Sequence, residues 1–218
     1  MRTPKADLVA AAEHLPEGAL LTIDDVSWDE YEQILQDFDG PRKLRVSYDE
    51  GRLEIMSPLS RHEYYKTFIE RMIHAMGDEL DLDVEPFGQA TWKRERDRKG
   101  AEGDSCFYIV NSKRIIGNPD IDINVDPPPD LILEIDSTNY SLSKFPIYAA
   151  FGVPEIWRYE VEKNLLHIYE LREGTYVEVP ASRFFPILSP DILPPLIDQS
   201  KTQGQKAALT AFRKLISL

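Results

Sequence analysis

The segment DLILEID at residues 130–136 constrains this chain more than any other stretch. It is apolar enough for a central strand, yet it carries three carboxylates, Asp130, Glu134 and Asp136. Strand alternation puts Leu131, Leu133 and Ile135 on one face and Asp130, Ile132, Glu134 and Asp136 on the other. A carboxylate at Glu134, inside so apolar a strand, is costly to bury unless a cation or hydrogen bonds compensate it. Glu134 is therefore the sharpest pointer to a site.

The elements around this strand follow from local pattern. Ser27 and Glu30 have capping-box spacing, which predicts a helix over 28–38 that stops at Gly40. KLRVSYDEGRLEIMSP predicts a hairpin turning at Asp49-Glu50-Gly51. From Ser60 the period lengthens: Tyr64, Phe68, Met72 and Met76 fall four apart, with Tyr65, Ile69, Ile73 and Leu80 beside them, a helix with a wide apolar face. Residues 83–96 read as two strands around Gly88, and 105–110 as another. The stretch 111–128 is a polar excursion. A short helix is expected before Gly152, with Pro146 in its first turn. EIWRYEV, NLLHIYEL and TYVEV then form a meander turning at Lys163-Asn164 and Glu173-Gly174. Residues 180–200 carry five prolines and read as a surface arm. A last amphipathic helix over 202–217 would bury Ala208, Phe212 and Leu215. This order predicts an α/β fold, a mixed sheet with helices on both faces.

Composition narrows the function classes. With 218 residues the chain is sized for one domain rather than two complete ones. At 42% hydrophobic it can build a sizeable core, which excludes a disordered tail or a disulfide-stapled miniprotein. Acidic residues number 38 against 25 basic, so a nonspecific coat on nucleic acid or anionic membrane is disfavoured. No apolar run is long enough to cross a bilayer. The opening MRTPKADLVAAAEHLPEG lacks the apolar core of a signal peptide, so a cytoplasmic location is expected. Cys106, the one cysteine, reads as a small buried residue, and His74 and His167 as structural or surface groups. Glycine-rich phosphate loops, GxSxG, HExxH and paired CxxC motifs are all absent from the sequence.

What remains is carboxylates on strands. Asp130 lies about 13 Å from Glu134 along the strand, too far to share one ion. Asp104, at the mouth of the strand SCFYIV, is placed to be Glu134's partner from a neighbouring strand. Asp136, about 6–7 Å along, could contribute as an accessory. Lys144 opens the following helix, where a short turn brings its ammonium back over the strand end. Two carboxylates and a lysine around one divalent ion make a minimal phosphodiester-hydrolysis site. The plainer reading, a helix-start lysine paired with Asp136 at the surface, stands beside it. Lys93, Arg94, Arg96, Arg98 and Lys99 form the densest positive cluster. They read either as a solvated loop or as a DNA-backbone contact, with Lys113 and Arg114 the other basic supply.

The stretches GRLEIMSPLSRHEYYK, AEGDSCFYI and PPPDLILEIDSTNYSLSKFPIYAAFGVPEIWRY resemble the Uma-type endonuclease family of the PD-(D/E)XK, or restriction-endonuclease-like, superfamily. The resemblance runs over about residues 20–185, and the GVPEIWRY block is its most specific part. It implies a restriction-endonuclease-like mixed central sheet flanked by helices, in a single domain over 1–218 whose arm and last helix occupy 186–218. It also implies Mg²⁺ or Mn²⁺ as cofactor, DNA as substrate and pairing into a homodimer. Asp104 matches the first acidic position, Glu134 the acidic residue of the second motif, and Lys144 a lysine moved onto the helix. Ile135 would offer its backbone carbonyl to the metal, while His62 and Glu63 match an accessory position on the first long helix. One departure is Gly103 before Asp104, where the family usually has proline.

The expected function is metal-dependent hydrolysis of DNA phosphodiesters. Two rivals stand beside it, a non-catalytic binding or assembly protein on the same scaffold, and a hydrolase of a small phosphate or sugar ester.

Overall fold

The computed structural model describes residues 11–12, 14–38, 44–137 and 140–217. The strands are β1 (Leu20–Ile23), β2 (Arg45–Asp49), β3 (Arg52–Met56), β4 (Glu85–Gly88), β5 (Thr91–Arg94) and β6 (Lys99–Glu102). They continue with β7 (Ser105–Tyr108), β8 (Leu131–Asp136), β9 (Glu155–Glu160), β10 (Leu165–Arg172) and β11 (Thr175–Val179). The helices are α1 (Trp28–Asp37), α2 (Ser60–Leu80), α3 (Ser112–Ile115), α4 (Phe145–Phe151), α5 (Leu193–Gln203) and α6 (Gln205–Ile216). Two compact units divide them: unit 1 spans residues 1–60 and 91–102, and unit 2 spans 61–90 and 103–218.

Unit 1 is an antiparallel sheet in the order β1-β3-β2-β6-β5, with α1 on its apolar face. The capping box forms as expected: Ser27 Oγ accepts from Glu30 N at 3.3 Å, and Glu30 Oε2 accepts from Ser27 N at 2.8 Å. The predicted stop at Gly40 lies outside the described residues. The β2–β3 turn places Glu50 and Gly51 both at positive φ, 49° and 108°, the condition for a two-residue hairpin loop. Tyr31 from α1 stacks on Tyr48 with ring centroids 4.7 Å apart. Gly100 opposite them makes room for the stack, because a Cβ there would lie 2.0 Å from the Tyr31 hydroxyl.

Residues 93–99 differ from the solvated loop of one sequence reading. They belong to the β5–β6 hairpin, with Arg98 in the left-handed region (φ 51°) at the turn. The two strands expected around Gly88 also part company, since β4 joins the other sheet.

Unit 2 is built on a mixed sheet in the order β11-β10-β9-β8-β7-β4. Only β8 and β9 run parallel, and the crossover between them carries α4. β8 is central and every residue in it is buried. Its odd face does what alternation predicts: Leu131, Leu133 and Ile135 join Phe68, Ile69, Met72, Ile73 and Met76 of α2 in one core. Each such side chain, fully buried, contributes about 1.5–3 kcal/mol.

The block GVPEIWRY has a structural account. Glu155, fully buried, accepts from Trp157 Nε1 (2.6 Å), Ser182 Oγ (2.5 Å) and the Arg183 amide (2.8 Å). It thereby pins the proline-rich segment to β9, where Phe185 packs edge-on against Trp157 at 5.9 Å. That segment is shorter than expected, because Pro194 and Pro195 sit in the first turn of α5, where a missing N–H costs nothing. In α6 the core positions are Ala208, Phe212 and Ile216, while Leu215 is 63% exposed. The stripe keeps a strict four-residue spacing, so its last member is Ile216 and not the expected Leu215. No helix among the described residues is long and apolar enough to cross a membrane.

Candidate active site

The site is assembled on the even face of β8. Asp136 O accepts from Val161 N of the strand-end continuation of β9 at 2.9 Å, so even residues of β8 spend their main-chain groups on the β9 side. Odd residues then face β7. The β7–β8 ladder stops at the pair Ser105–Leu133, which leaves Ile135 one step beyond it. Asp104, immediately before β7, fills that place: its Oδ2 accepts from the Ile135 N–H at 2.7 Å. The Ile135 carbonyl lies on the same edge of the strand, by the same alternation.

Glu134 projects from β8 toward the N-terminal half of the crossover helix α4. Lys144 Nζ donates to Glu134 Oε2 at 2.7 Å, and the Tyr148 hydroxyl donates to Oε1 at 2.5 Å. Lys144 and Tyr148 are four residues apart, so one turn of backbone stacks them on one side. Glu134 and Lys144 are each 2% exposed and Asp104 5%. Lys144 also lies over the Tyr140 ring, 5.1 Å from its centroid.

Burial pushes the Glu134 carboxyl up to about 7; Lys144 opposes that shift and the charge of Asp104 adds to it. Burial works to lower Lys144, but Glu134, with Tyr140 and Asp104, outweighs it, and the ammonium is held above its ordinary value. The Tyr148 phenol is pushed well above its usual range by burial and then by Glu134's charge. Above neutrality the arrangement is thus an ammonium and a phenol O–H bracketing one ionised carboxylate, with a second carboxylate close enough to repel it.

The donor set is all oxygen: two carboxylates and a main-chain carbonyl. Among the described residues no group of three or more His, Cys, Asp or Glu side chains forms a metal cage. Mg²⁺ characteristically uses one or two carboxylates and leaves its other positions to water and substrate phosphate. Asp104 and Glu134 could hold a hard divalent cation of that kind. Each oxygen of Glu134 has lone-pair capacity beyond the hydrogen bond it already accepts.

The other expected residues are arranged differently. Asp136 accepts from Ser141 Oγ at 2.6 Å and from Arg158 Nε at 2.9 Å, so it is engaged by an ion pair rather than by Lys144. His62 is buried, its Nε2 2.9 Å from Ser137 Oγ, where α2 meets the end of β8. Glu63 is solvent-facing and pairs with Lys66 at 2.6 Å. The basic run lies in unit 1 and is largely matched by acids. Lys93 pairs with Glu32 (2.6 Å), Arg94 with Asp97 (3.0 Å), and Lys99 with Asp49 and Glu50. Arg98 donates to the Tyr48 hydroxyl at 3.3 Å, and Arg96, its side chain 71% exposed, lies 3.7 Å from Asp97. Lys113 and Arg114 are exposed on α3.

Sequence reasoning missed Tyr148, because an aromatic residue at helical spacing reads as core. Its signal was the four-residue step from Lys144. Gly103 is explained by packing: a Cβ there would meet Ile132 Cγ2 at 3.0 Å and Cys106 Sγ at 3.2 Å. Cys106 is buried, as expected of a small core residue.

A family model described as "Putative restriction endonuclease", named Uma2, matches residues 28–200. A crystal structure of "a putative nuclease belonging to DUF820" from Anabaena variabilis is 14% identical, with a TM-score of 0.48. That match covers 75% of this chain and 93% of the other. No curated protein matches the sequence.

Proposed function

The chain belongs to the Uma2 family, and from that premise we propose that it is a divalent-metal-dependent endonuclease hydrolysing DNA phosphodiester bonds. The observation that supports this best is the meeting of three residues from three separate segments of the chain. Asp104 bonds the main chain next to Glu134, and Glu134 in turn binds the ammonium of Lys144. A buried pair of carboxylates repels itself, and a divalent cation relieves that repulsion.

In this reading Asp104, Glu134 and the Ile135 carbonyl hold Mg²⁺ or Mn²⁺. The ion supplies Lewis-acid polarisation of the phosphate and neutralises its charge. The Lys144 ammonium, 2.7 Å from Glu134, is the group that would orient the attacking water or stabilise the charge developing on the phosphate oxygens. Hydrolysis forms a bond from the water oxygen to phosphorus and breaks the bond to one ester oxygen, which leaves with a proton. Asp136, His62 and Glu63 are accessory candidates. Lys93, Arg94, Arg96, Arg98 and Lys99 are candidates for DNA-backbone contact, and the Arg96 side chain is 71% exposed. Two copies acting together would cut both strands of a duplex.

A second reading, a non-catalytic assembly protein on this scaffold, is favoured by one observation. Glu134 and Lys144 are each only 2% exposed, and both Glu134 oxygens are already satisfied from within. Nicking of supercoiled plasmid with Mg²⁺ or Mn²⁺ separates the two. The nuclease reading expects metal-dependent cleavage that Glu134→Gln and Asp104→Asn each abolish. Wild-type protein that neither cuts DNA nor binds metal by calorimetry would establish the scaffold instead.

A further inference from the structure

Glu134 is held at both of its oxygens, and only one of the two partners has a place in the reaction just described. The other, Tyr148, is fully buried on α4 and makes its 2.5 Å hydrogen bond to Oε1. Four features distinguish it from a core tyrosine that happens to lie near a carboxylate. Its acceptor is a side chain of the candidate site rather than main chain. It stands one turn after Lys144, so one short segment delivers both donors, and each takes a different oxygen. The strand entry carrying Asp104 runs against it, since a Cβ at Gly103 would lie 3.7 Å from the Tyr148 hydroxyl. Finally, Asp104 is itself oriented by a fixed main-chain donor, the Ile135 N–H. Both candidate metal-binding carboxylates are therefore aimed by groups that cannot move without disturbing β8 or α4.

Resting on the nuclease reading, we propose that Tyr148 is a positioning residue for Glu134. Its hydroxyl fixes the rotation of the carboxylate about its terminal bond, so that Oε1 and Oε2 hold their orientation relative to Asp104. A carboxylate bound by Lys144 alone would pivot about that one contact. Ligand carboxylates are commonly held by such outer partners, and losing one costs about 10–100-fold in metal affinity or activity. Tyr148 touches neither substrate nor metal in this scheme and acts only through Glu134.

The test is Mn²⁺ binding to the full chain by calorimetry, together with plasmid cleavage, for wild type, Tyr148→Phe, Glu134→Gln and the double variant. Tyr148→Phe removes one oxygen atom and keeps the ring in place. It should weaken Mn²⁺ binding about 10–100-fold and lower kcat with the KM for DNA unchanged. In the Glu134→Gln background the same change should do nothing further, because the residue through which Tyr148 acts has been removed. Tyr148→Phe with wild-type affinity and wild-type kcat would overturn the positioning role and leave the nuclease reading standing. Wild type that binds no Mn²⁺ and cuts no DNA would sink both. Should Tyr148→Phe fail to fold, tyrosine difference absorbance during Mn²⁺ titration of wild type and Glu134→Gln reads the same contact. A saturating signal present only in wild type supports the proposal, and identical traces overturn it.

Discussion

Replacing Lys144 with methionine would leave the Glu134 carboxylate buried beside Asp104 without its cation. Removing one partner of a buried ion pair costs about 3–5 kcal/mol, mostly from the uncompensated charge left behind. The structure adds a pH signature. Glu134 sits at about 7 when folded against an ordinary 4.5. Between those values the folded chain keeps a proton that the unfolded chain releases. Stability contributed by this group therefore falls as pH rises through that window, by about 3 kcal/mol in all, and is flat above it. Lys144 holds the carboxyl down against burial, so in Lys144→Met the folded value climbs further. The loss then continues above neutrality, at about 1.4 kcal/mol per pH unit while Glu134 stays protonated. Urea unfolding with chelator present, at about pH 5.5 and about pH 8.5, measures both parts. Lys144→Met should lose about 3–5 kcal/mol at the higher pH and distinctly less at the lower. Glu134→Gln combined with Lys144→Met should recover most of the loss, since no buried charge is left unpaired at that contact. An equal penalty at both pH values, or a double variant as unstable as the single one, would refute the reasoning.

Two further substitutions test the framework around the site. Glu155→Ala should destabilise the protein by about 3 kcal/mol or more in thermal or urea unfolding, because it strands the buried donors of Trp157, Ser182 and Arg183. Limited proteolysis should then cut first within residues 180–188, the segment those bonds hold down. Gly100→Ala should cost about 1–3 kcal/mol by driving a methyl into the Tyr31 hydroxyl. Near-ultraviolet circular dichroism should change with it, since Tyr31, Tyr48 and Trp28 form one ring cluster.

Which of these features a sequence discloses depends on how far apart the interacting residues are. The capping box at Ser27, the Glu50-Gly51 turn and the left-handed stop at Gly152 are each settled within about four residues, and each forms as read. So does the division of β8 into an apolar and a charged face, because alternation is a property of the strand alone. The division of the sheets was not legible. β2 pairs with β6 across some fifty residues, and nothing in the early hairpin names that partner (Ser47 faces Ala101). The same reason defeats the charge map. Lys93 and Lys99 look like a positive run until Glu32 and Asp49, remote in sequence, are brought beside them.

The site lies between these cases. Glu134 and Lys144 were legible because a carboxylate in an apolar strand demands compensation and the next cation along the chain is within reach of one short turn. The partnership of Asp104 with β8 needed the register as well. It exists because the β7 ladder ends one residue pair early and leaves the Ile135 N–H for a side chain to take. Tyr148 was hidden by its residue type, for a phenol's ring belongs to the core and only its oxygen belongs to the site. A buried carboxylate has two oxygens, and a reading that assigns a donor to one of them has left the other unsatisfied. Asking what satisfies the second oxygen, and searching one helical turn from the first donor, would have reached Tyr148 from the sequence.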